Sequence, residues 1–180
     1  MLNKLFSNNP EDKKLQTIVG IALSALVLIF CFLSVYTISV EVFGFKTAQD
    51  YTLAGFAAEN PDLAFLGTLN TLIIICAIGS IALLVLPMAG IELKLPTMIN
   101  WLPAAVAGAA QALGIIIGWL AASSELKKLE DMGMSDAVKF GPNLMGWIAI
   151  VAGIALAAYA VLMIKGVKAP QAAEAPVENQ

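Results

Sequence analysis

The stretch LNTLIIICAIGSIALLVLPMAGI, residues 69–91, decides the fold class of this chain. It contains 23 residues and not one charged side chain. A bilayer core about 30 Å thick is crossed by roughly 20 residues of α-helix, each rising about 1.5 Å. An uncharged run of this length therefore predicts a transmembrane helix.

Three further uncharged runs lie at residues 15–40, 98–124 and 143–164. Of the 180 residues, 59% are apolar and 13% are charged. A soluble domain is about one-half apolar and about one-quarter charged, so a soluble protein is excluded. The sequence predicts an all-α membrane protein, a bundle of four transmembrane helices with both termini on the same side.

The lysines orient these spans. With the termini inside, six lysines lie on the cytoplasmic side and four on the outer side, which favours the cell membrane with cytoplasmic termini under the positive-inside rule. The predicted segments are a cytoplasmic N-terminal segment (1–14), a first span (15–40), an aromatic and acidic outer loop (41–68), a second span (69–91), a short inner loop (92–97), a third span (98–124), a second outer loop (125–142), a fourth span (143–164) and a disordered cytoplasmic tail (165–180).

The two outer loops are not featureless. Leu126, Leu129 and Met132 recur at helical spacing and predict that the third helix continues into the second loop. In the first loop, Thr47 followed by Asp50 resembles a helix cap and predicts a short helix at 48–58. Its aromatic residues predict an interface at the helix ends or in the headgroup region. They are Phe43, Phe45, Tyr51, Phe56 and Phe65.

Residue types on which membrane chemistry depends are missing. The chain contains no histidine and no arginine. It therefore lacks an imidazole ligand for haem, copper or zinc, and also a bidentate clamp for phosphate or carboxylate. The predicted spans contain no Asp, Glu or Lys, the residues that mark proton relays and coupled carriers. We predict no catalytic residue, cofactor or metal site, no enzymatic activity, and no nucleic acid among the partners.

The two cysteines, Cys31 and Cys76, fall at nearly the same depth of the first two spans. They either approach each other across neighbouring helices or serve as small residues in apolar packing. A thiol in hydrocarbon is hard to deprotonate or oxidise, which favours packing.

Small residues recur every four positions in the last two spans. Such ridges let helix backbones approach closely, and this approach drives helix association in lipid. We predict that they pack helices within the bundle or against a partner. The ridges are Ala110, Gly114, Gly118 and Ala122 in the third span and Ala149, Gly153 and Ala157 in the fourth.

Gln111 is the polar residue at the midpoint of the third span. A primary amide in hydrocarbon requires a hydrogen-bond partner. We expect an intramembrane polar contact, which is either a hydrogen bond between helices or a ligand contact in an oligomeric pore.

The four spans with a longer first outer loop resemble the claudin-like tetraspan arrangement in outline. Residues 41–68 contain neither the tryptophan nor the paired cysteines of that family's loop, so the resemblance implies no function and no site residue. The sequence favours a small non-catalytic membrane protein, an accessory or structural subunit of a larger complex that acts through helix association. Its expected partners are membrane lipids and either other membrane protein subunits or its own copies. The alternative is an oligomeric passive channel or small-solute conduit lined by Gln111.

Overall fold

The computed structural model describes residues 10–42, 44–91, 95–131 and 138–166. Most of the predicted segment 1–14 and of the predicted tail 165–180 lies outside these residues. The elements in chain order are α1 (Pro10–Phe30), β1 (Tyr36–Val42), β2 (Phe45–Tyr51), α2 (Leu53–Glu59), a 3₁₀ turn (Pro61–Leu63), α3 (Phe65–Met88), α4 (Thr97–Asp131), β3 (Val138–Pro142) and α5 (Leu144–Lys165).

Four of the helices, α1, α3, α4 and α5, are long and apolar enough to cross a membrane. Large apolar side chains such as Ile75 and Val151 lie exposed on their surfaces, whereas the polar residues Ser24 and Ser80 are fully buried. In water this arrangement would be unfavourable, but in lipid it satisfies both kinds of side chain. The chain therefore has the character of a multi-pass membrane protein.

The long helices contact one another through their buried faces. Helix α4 packs on both α3 and α5, and α1 packs on the same two helices. Between α1 and α3 the hydroxyl oxygens of Ser24 and Ser80 lie 3.0 Å apart. The two buried hydroxyls thus satisfy each other across the contact of α1 with α3.

The first predicted span, 15–40, does not form one helix. Helix α1 ends at Phe30, and β1 begins at Tyr36. From there aromatic or β-branched residues alternate with Thr37, Ser39 and Glu41, a period of two that fits a strand. The expectation of an all-α fold is therefore wrong, because a three-stranded sheet accompanies the helices.

The sheet has the order β2-β1-β3, and β1 pairs antiparallel with both neighbours. Its register places Ser39 opposite Ala48 of β2 and opposite Lys139 of β3. Gly44 in the turn between β1 and β2 has a φ of 78°, a left-handed conformation that favours glycine. The two predicted outer loops therefore meet in one sheet, which neither loop could form alone.

The short helix of the first loop begins later than the sequence predicted. Residues 48–51 belong to β2, and α2 starts at Leu53. The Thr52 hydroxyl accepts the amide hydrogen of Gly55 at 2.9 Å, so Thr52 rather than Thr47 caps this helix. The expected extension of the third helix is present, since α4 runs to Asp131.

We call β1, β2, β3, α2 and the 3₁₀ turn the sheet layer. Helices α1 and α4 run towards it, and α3 and α5 run away from it. Trp119 and Trp147 make an edge-to-face pair with centroids 5.6 Å apart towards this end of α4 and α5. At the opposite end Trp101 and Tyr159 pair in the same manner, also at 5.6 Å.

Candidate association surface

Helices α4 and α5 approach each other closely at Gly108 and Gly153. A Cβ atom added to Gly153 would lie 2.7 Å from the carbonyl oxygen of Gly108 and 3.2 Å from the amide nitrogen of Ala112. Only glycine allows backbones to come this close. The predicted α5 ridge of Ala149, Gly153 and Ala157 thus meets α4, but it meets Gly108 and Ala112 rather than the ridge that begins at Ala110.

The predicted α4 ridge faces other parts of the chain. A Cβ atom on Gly114 would lie 2.9 Å from the side chain of Leu69 on α3. A Cβ atom on Gly118 would collide with the Tyr36 hydroxyl and lie 3.1 Å from Leu66. The Gly114–Gly118 pair therefore receives side chains from α3 and β1.

Tyr36 connects the sheet layer to α4. Its side chain is fully buried, and its hydroxyl donates a hydrogen bond of 2.8 Å to the carbonyl oxygen of Ile115. Burial raises the pKa of the Tyr36 phenol well above its ordinary value. A neutral tyrosine, held by packing and one strong hydrogen bond, therefore joins the two parts of the molecule.

An aromatic cluster surrounds Tyr36 beneath the sheet. The ring of Tyr36 lies 5.0 Å from Phe56 of α2 and 5.2 Å from Phe140 of β3, and the rings of Phe56 and Phe140 stack at 5.0 Å. Tyr51 meets Phe56 edge to face at 6.3 Å. A hydrogen bond to Glu59 raises the pKa of Tyr51. These contacts hold both predicted loops on the helix ends.

The aromatic residues predicted as an outer-loop interface differ in their burial. Phe56 is buried, Tyr51 is half-buried, and Phe65 is exposed at the start of α3. Phe45 at the start of β2 is 80% exposed. Phe43 lies outside the described residues. Of the four described members, Phe56 is therefore core, Tyr51 packs against the core, and Phe45 is the most exposed.

The β2 strand forms a free edge of the sheet. In the part of the chain that the structure describes, β2 pairs with β1 alone. Every residue from Phe45 to Asp50 is exposed. An edge strand of this kind presents unpaired backbone N–H and C=O groups, which can pair with another strand. We call this strand the β2 edge.

A cleft of about 310 Å³ lies between the sheet layer and the end of α4. Its apolar wall includes Phe56 and Phe140, and the predicted ridge residue Ala122 also lines it. The hydroxyl of Ser124 at this cleft donates to the carbonyl oxygen of Ala121 at 2.8 Å. Serine in a helix often donates to a carbonyl oxygen of the preceding turn in this way.

Gln111 lies inside the chain. It is 2% exposed, and its amide nitrogen donates to the Ala149 carbonyl oxygen of α5 at 3.4 Å. Its side-chain oxygen is buried without a hydrogen-bond partner among the described residues, as is that of Asn70 on α3. Gln111 of α4 therefore faces α5.

The cysteines and acidic residues of the described ranges are candidates for chemistry. Cys31 and Cys76 are both free. Throughout residues 10–42, 44–91, 95–131 and 138–166, no three His, Cys, Asp or Glu side chains gather where a metal ion would bind.

No known family model matches this chain, and no curated protein sequence matches it.

Sequence reasoning misses three residues of these contacts. Tyr36 lies inside a predicted span, and no motif singles out Phe140 or Ser24. The alternating pattern of residues 36–41 is a signal for a strand that separates Tyr36 from the first span. No signal in the sequence alone pairs Tyr36 with Gly118.

Proposed function

We propose that this chain is a small non-catalytic integral membrane protein that acts through association. It serves as an accessory or structural subunit of a membrane assembly, whose other members are different membrane proteins or further copies of itself. The contact surface is the exposed side of the sheet layer, with the β2 edge at its margin.

One contrast supports this proposal. The small-residue ridges of α4 and α5 are covered by the same chain, whereas the β2 edge is uncovered among the described residues. Gly108 with Gly153, and Gly114 with Gly118, are occupied by neighbouring parts of the same chain. They are therefore not free to receive a foreign helix. The β2 edge is exposed from Phe45 to Asp50, and unpaired strand edges are a common site of protein association.

The proposal also includes an orientation in the membrane. The sheet layer lies outside the cell, and both termini lie in the cytoplasm. The lysine distribution supports this orientation. Labelling of an introduced cysteine at Lys46 by a membrane-impermeant maleimide on intact cells tests it, and labelling only after lysis would contradict it.

Site-specific photocrosslinking in the native membrane tests the association surface. We would place benzoylphenylalanine at Phe45 of the β2 edge and, as a control, at Val151, which is 66% exposed on α5. We expect protein adducts from position 45, identified by mass spectrometry, at several times the yield from position 151. Equal yields, or adducts from position 151 alone, would contradict the proposal.

A further inference from the structure

The β2 edge has a sequence that complements itself. Its residues are Phe-Lys-Thr-Ala-Gln-Asp-Tyr, from Phe45 to Tyr51. Read in opposite directions about Ala48, the strand places Lys46 opposite Asp50 and Phe45 opposite Tyr51. Opposite charges and aromatic pairs directly across two antiparallel strands are favourable.

We propose that the β2 edge pairs antiparallel with the β2 edge of a second copy of this chain, in a two-fold register centred on Ala48. The two three-stranded sheets then form one sheet of six strands. This inference rests on the proposed function and names the partner in it.

The register follows from charge and from the faces of the sheet. Lys46, Ala48 and Asp50 share one face, because alternate residues of a strand point the same way. Lys46 already lies opposite Glu41 of β1. In the proposed dimer it lies between that carboxylate and Asp50 of the second copy, so positive and negative charges alternate across the joined sheet.

A second copy fits this edge better than an unrelated strand does. A two-fold axis sets the same strand against itself in antiparallel direction, so one self-complementary sequence satisfies both halves of the interface. Two copies inserted in the same direction also hold their sheet layers at the same membrane level. The exposed Phe45 ring then gains a partner in Tyr51 of the second copy.

Disulfide trapping tests the register. In a Cys31→Ala, Cys76→Ala background, Ala48→Cys places two thiols directly opposite each other across the two-fold axis. Lys46→Cys and Asp50→Cys are matched controls on the same exposed face. In a dimer of either control, the two introduced thiols are offset by four residues along the paired strands. With copper phenanthroline in native membranes, we expect at least tenfold more disulfide dimer from Ala48→Cys than from either control alone. Mixing the two controls should restore the dimer.

Charge reversal distinguishes pairing from damage to the strand. Added to Ala48→Cys, Asp50→Lys brings lysines together at the interface, and Lys46→Asp brings aspartates together, so each variant alone should lose most of the crosslink. A mixture of the two variants restores both opposite-charge pairs. We expect a mixed disulfide dimer near the original yield, which a folding defect in either variant could not produce.

Each outcome decides between the two proposals. If the Ala48→Cys thiol reacts with maleimide but forms no more dimer than the controls, self-pairing is overturned. If in that case position 45 still photocrosslinks to a different membrane protein, the association function stands with another partner. If position 45 forms no protein adduct, both proposals fail together.

Discussion

Helix α4 accommodates two different neighbours with the same residue type. At Gly108 it meets the backbone of α5, and at Gly118 it meets the hydroxyl end of the Tyr36 side chain. A backbone cannot move without moving the whole helix, whereas a side chain can shift by a few tenths of an ångström. Replacing a glycine in this span therefore costs more stability where backbone lies against it than where a side chain does.

The largest effect is expected at the contact of α4 with α5. In Gly108→Ala the new Cβ collides with the Gly153 carbonyl oxygen and lies 2.7 Å from the Ala157 amide nitrogen. Because both atoms are backbone, the helices must separate, and overpacking of this kind costs about 3 kcal/mol. Thermal unfolding in one fixed detergent should show a clear loss of stability.

Gly79→Ala is the matched control for that substitution. Gly79 lies within α3, and a Cβ atom added to it would meet no neighbouring atom within 4 Å. Alanine is the better helix former there by about 0.5–1 kcal/mol, so this variant should be neutral or slightly more stable. Equal losses in the two variants would contradict the specific packing of Gly108.

A smaller loss is expected where the sheet layer meets α4. Gly118→Ala forces the Tyr36 hydroxyl away from Ile115, and Leu66 lies 3.1 Å from the added methyl group. Side chains can adjust, so we expect a cost of about 2 kcal/mol. Limited proteolysis within the sheet layer should increase in parallel, whereas Gly79→Ala should leave its rate unchanged.

Tyr36 should make stability depend on alkaline pH. Burial raises its pKa in the folded state, so folding favours the neutral phenol. The resulting stability is fully present below the ordinary tyrosine pKa near 10 and is lost as the pH rises above it, by up to about 1.4 kcal/mol per pH unit.

Tyr36→Phe is the comparison for this titration. It removes the hydrogen bond to Ile115, which costs about 1 kcal/mol at neutral pH. It also removes the phenol that would ionise, so its unfolding free energy should fall less steeply above pH 10. Parallel pH curves for the native chain and the variant would show that Tyr36 is not held as described.

The smallest effect is expected at Gln111. Its amide makes one long hydrogen bond and buries an oxygen without a partner among the described residues. Replacing a poorly satisfied amide by an apolar group of similar size is nearly neutral, so Gln111→Leu should change stability by less than about 1 kcal/mol. In reconstituted vesicles neither form should pass a small dye, and a flux abolished by Gln111→Leu would instead support the conduit.

The four membrane-crossing helices are predictable because hydropathy is a local property. Residues 69–91 contain the information for their own helix, and α3 occupies most of that run. The same property explains the error at residues 31–40. An apolar run registers as a span whether its residues repeat every 3.6 or every two positions, and only the alternation at Tyr36, Ile38 and Val40 distinguishes the strand.

The contacts of the candidate surface join residues that are far apart in sequence, and a local sequence pattern does not show which of them meet. The spacing of Gly114 and Gly118 predicts close packing, but it does not say whether a helix or a tyrosine lies against these glycines. Ser24 and Ser80 pair only because α1 and α3 place them at one level. Likewise β1 joins β2 and β3 from two separate loops, a pairing that a single sequence does not specify.

The central structural claim is that the Tyr36 side chain of the sheet layer lies against Gly118 of α4. A double-mutant cycle of Gly118→Ala and Tyr36→Phe, read as unfolding free energy in one detergent, tests it most directly. Phenylalanine removes the atom nearest the added methyl group, so the two losses should combine to less than their sum, with a coupling of about 1 kcal/mol. Losses that add within about 0.3 kcal/mol would show that Tyr36 does not rest on Gly118, and would contradict the account.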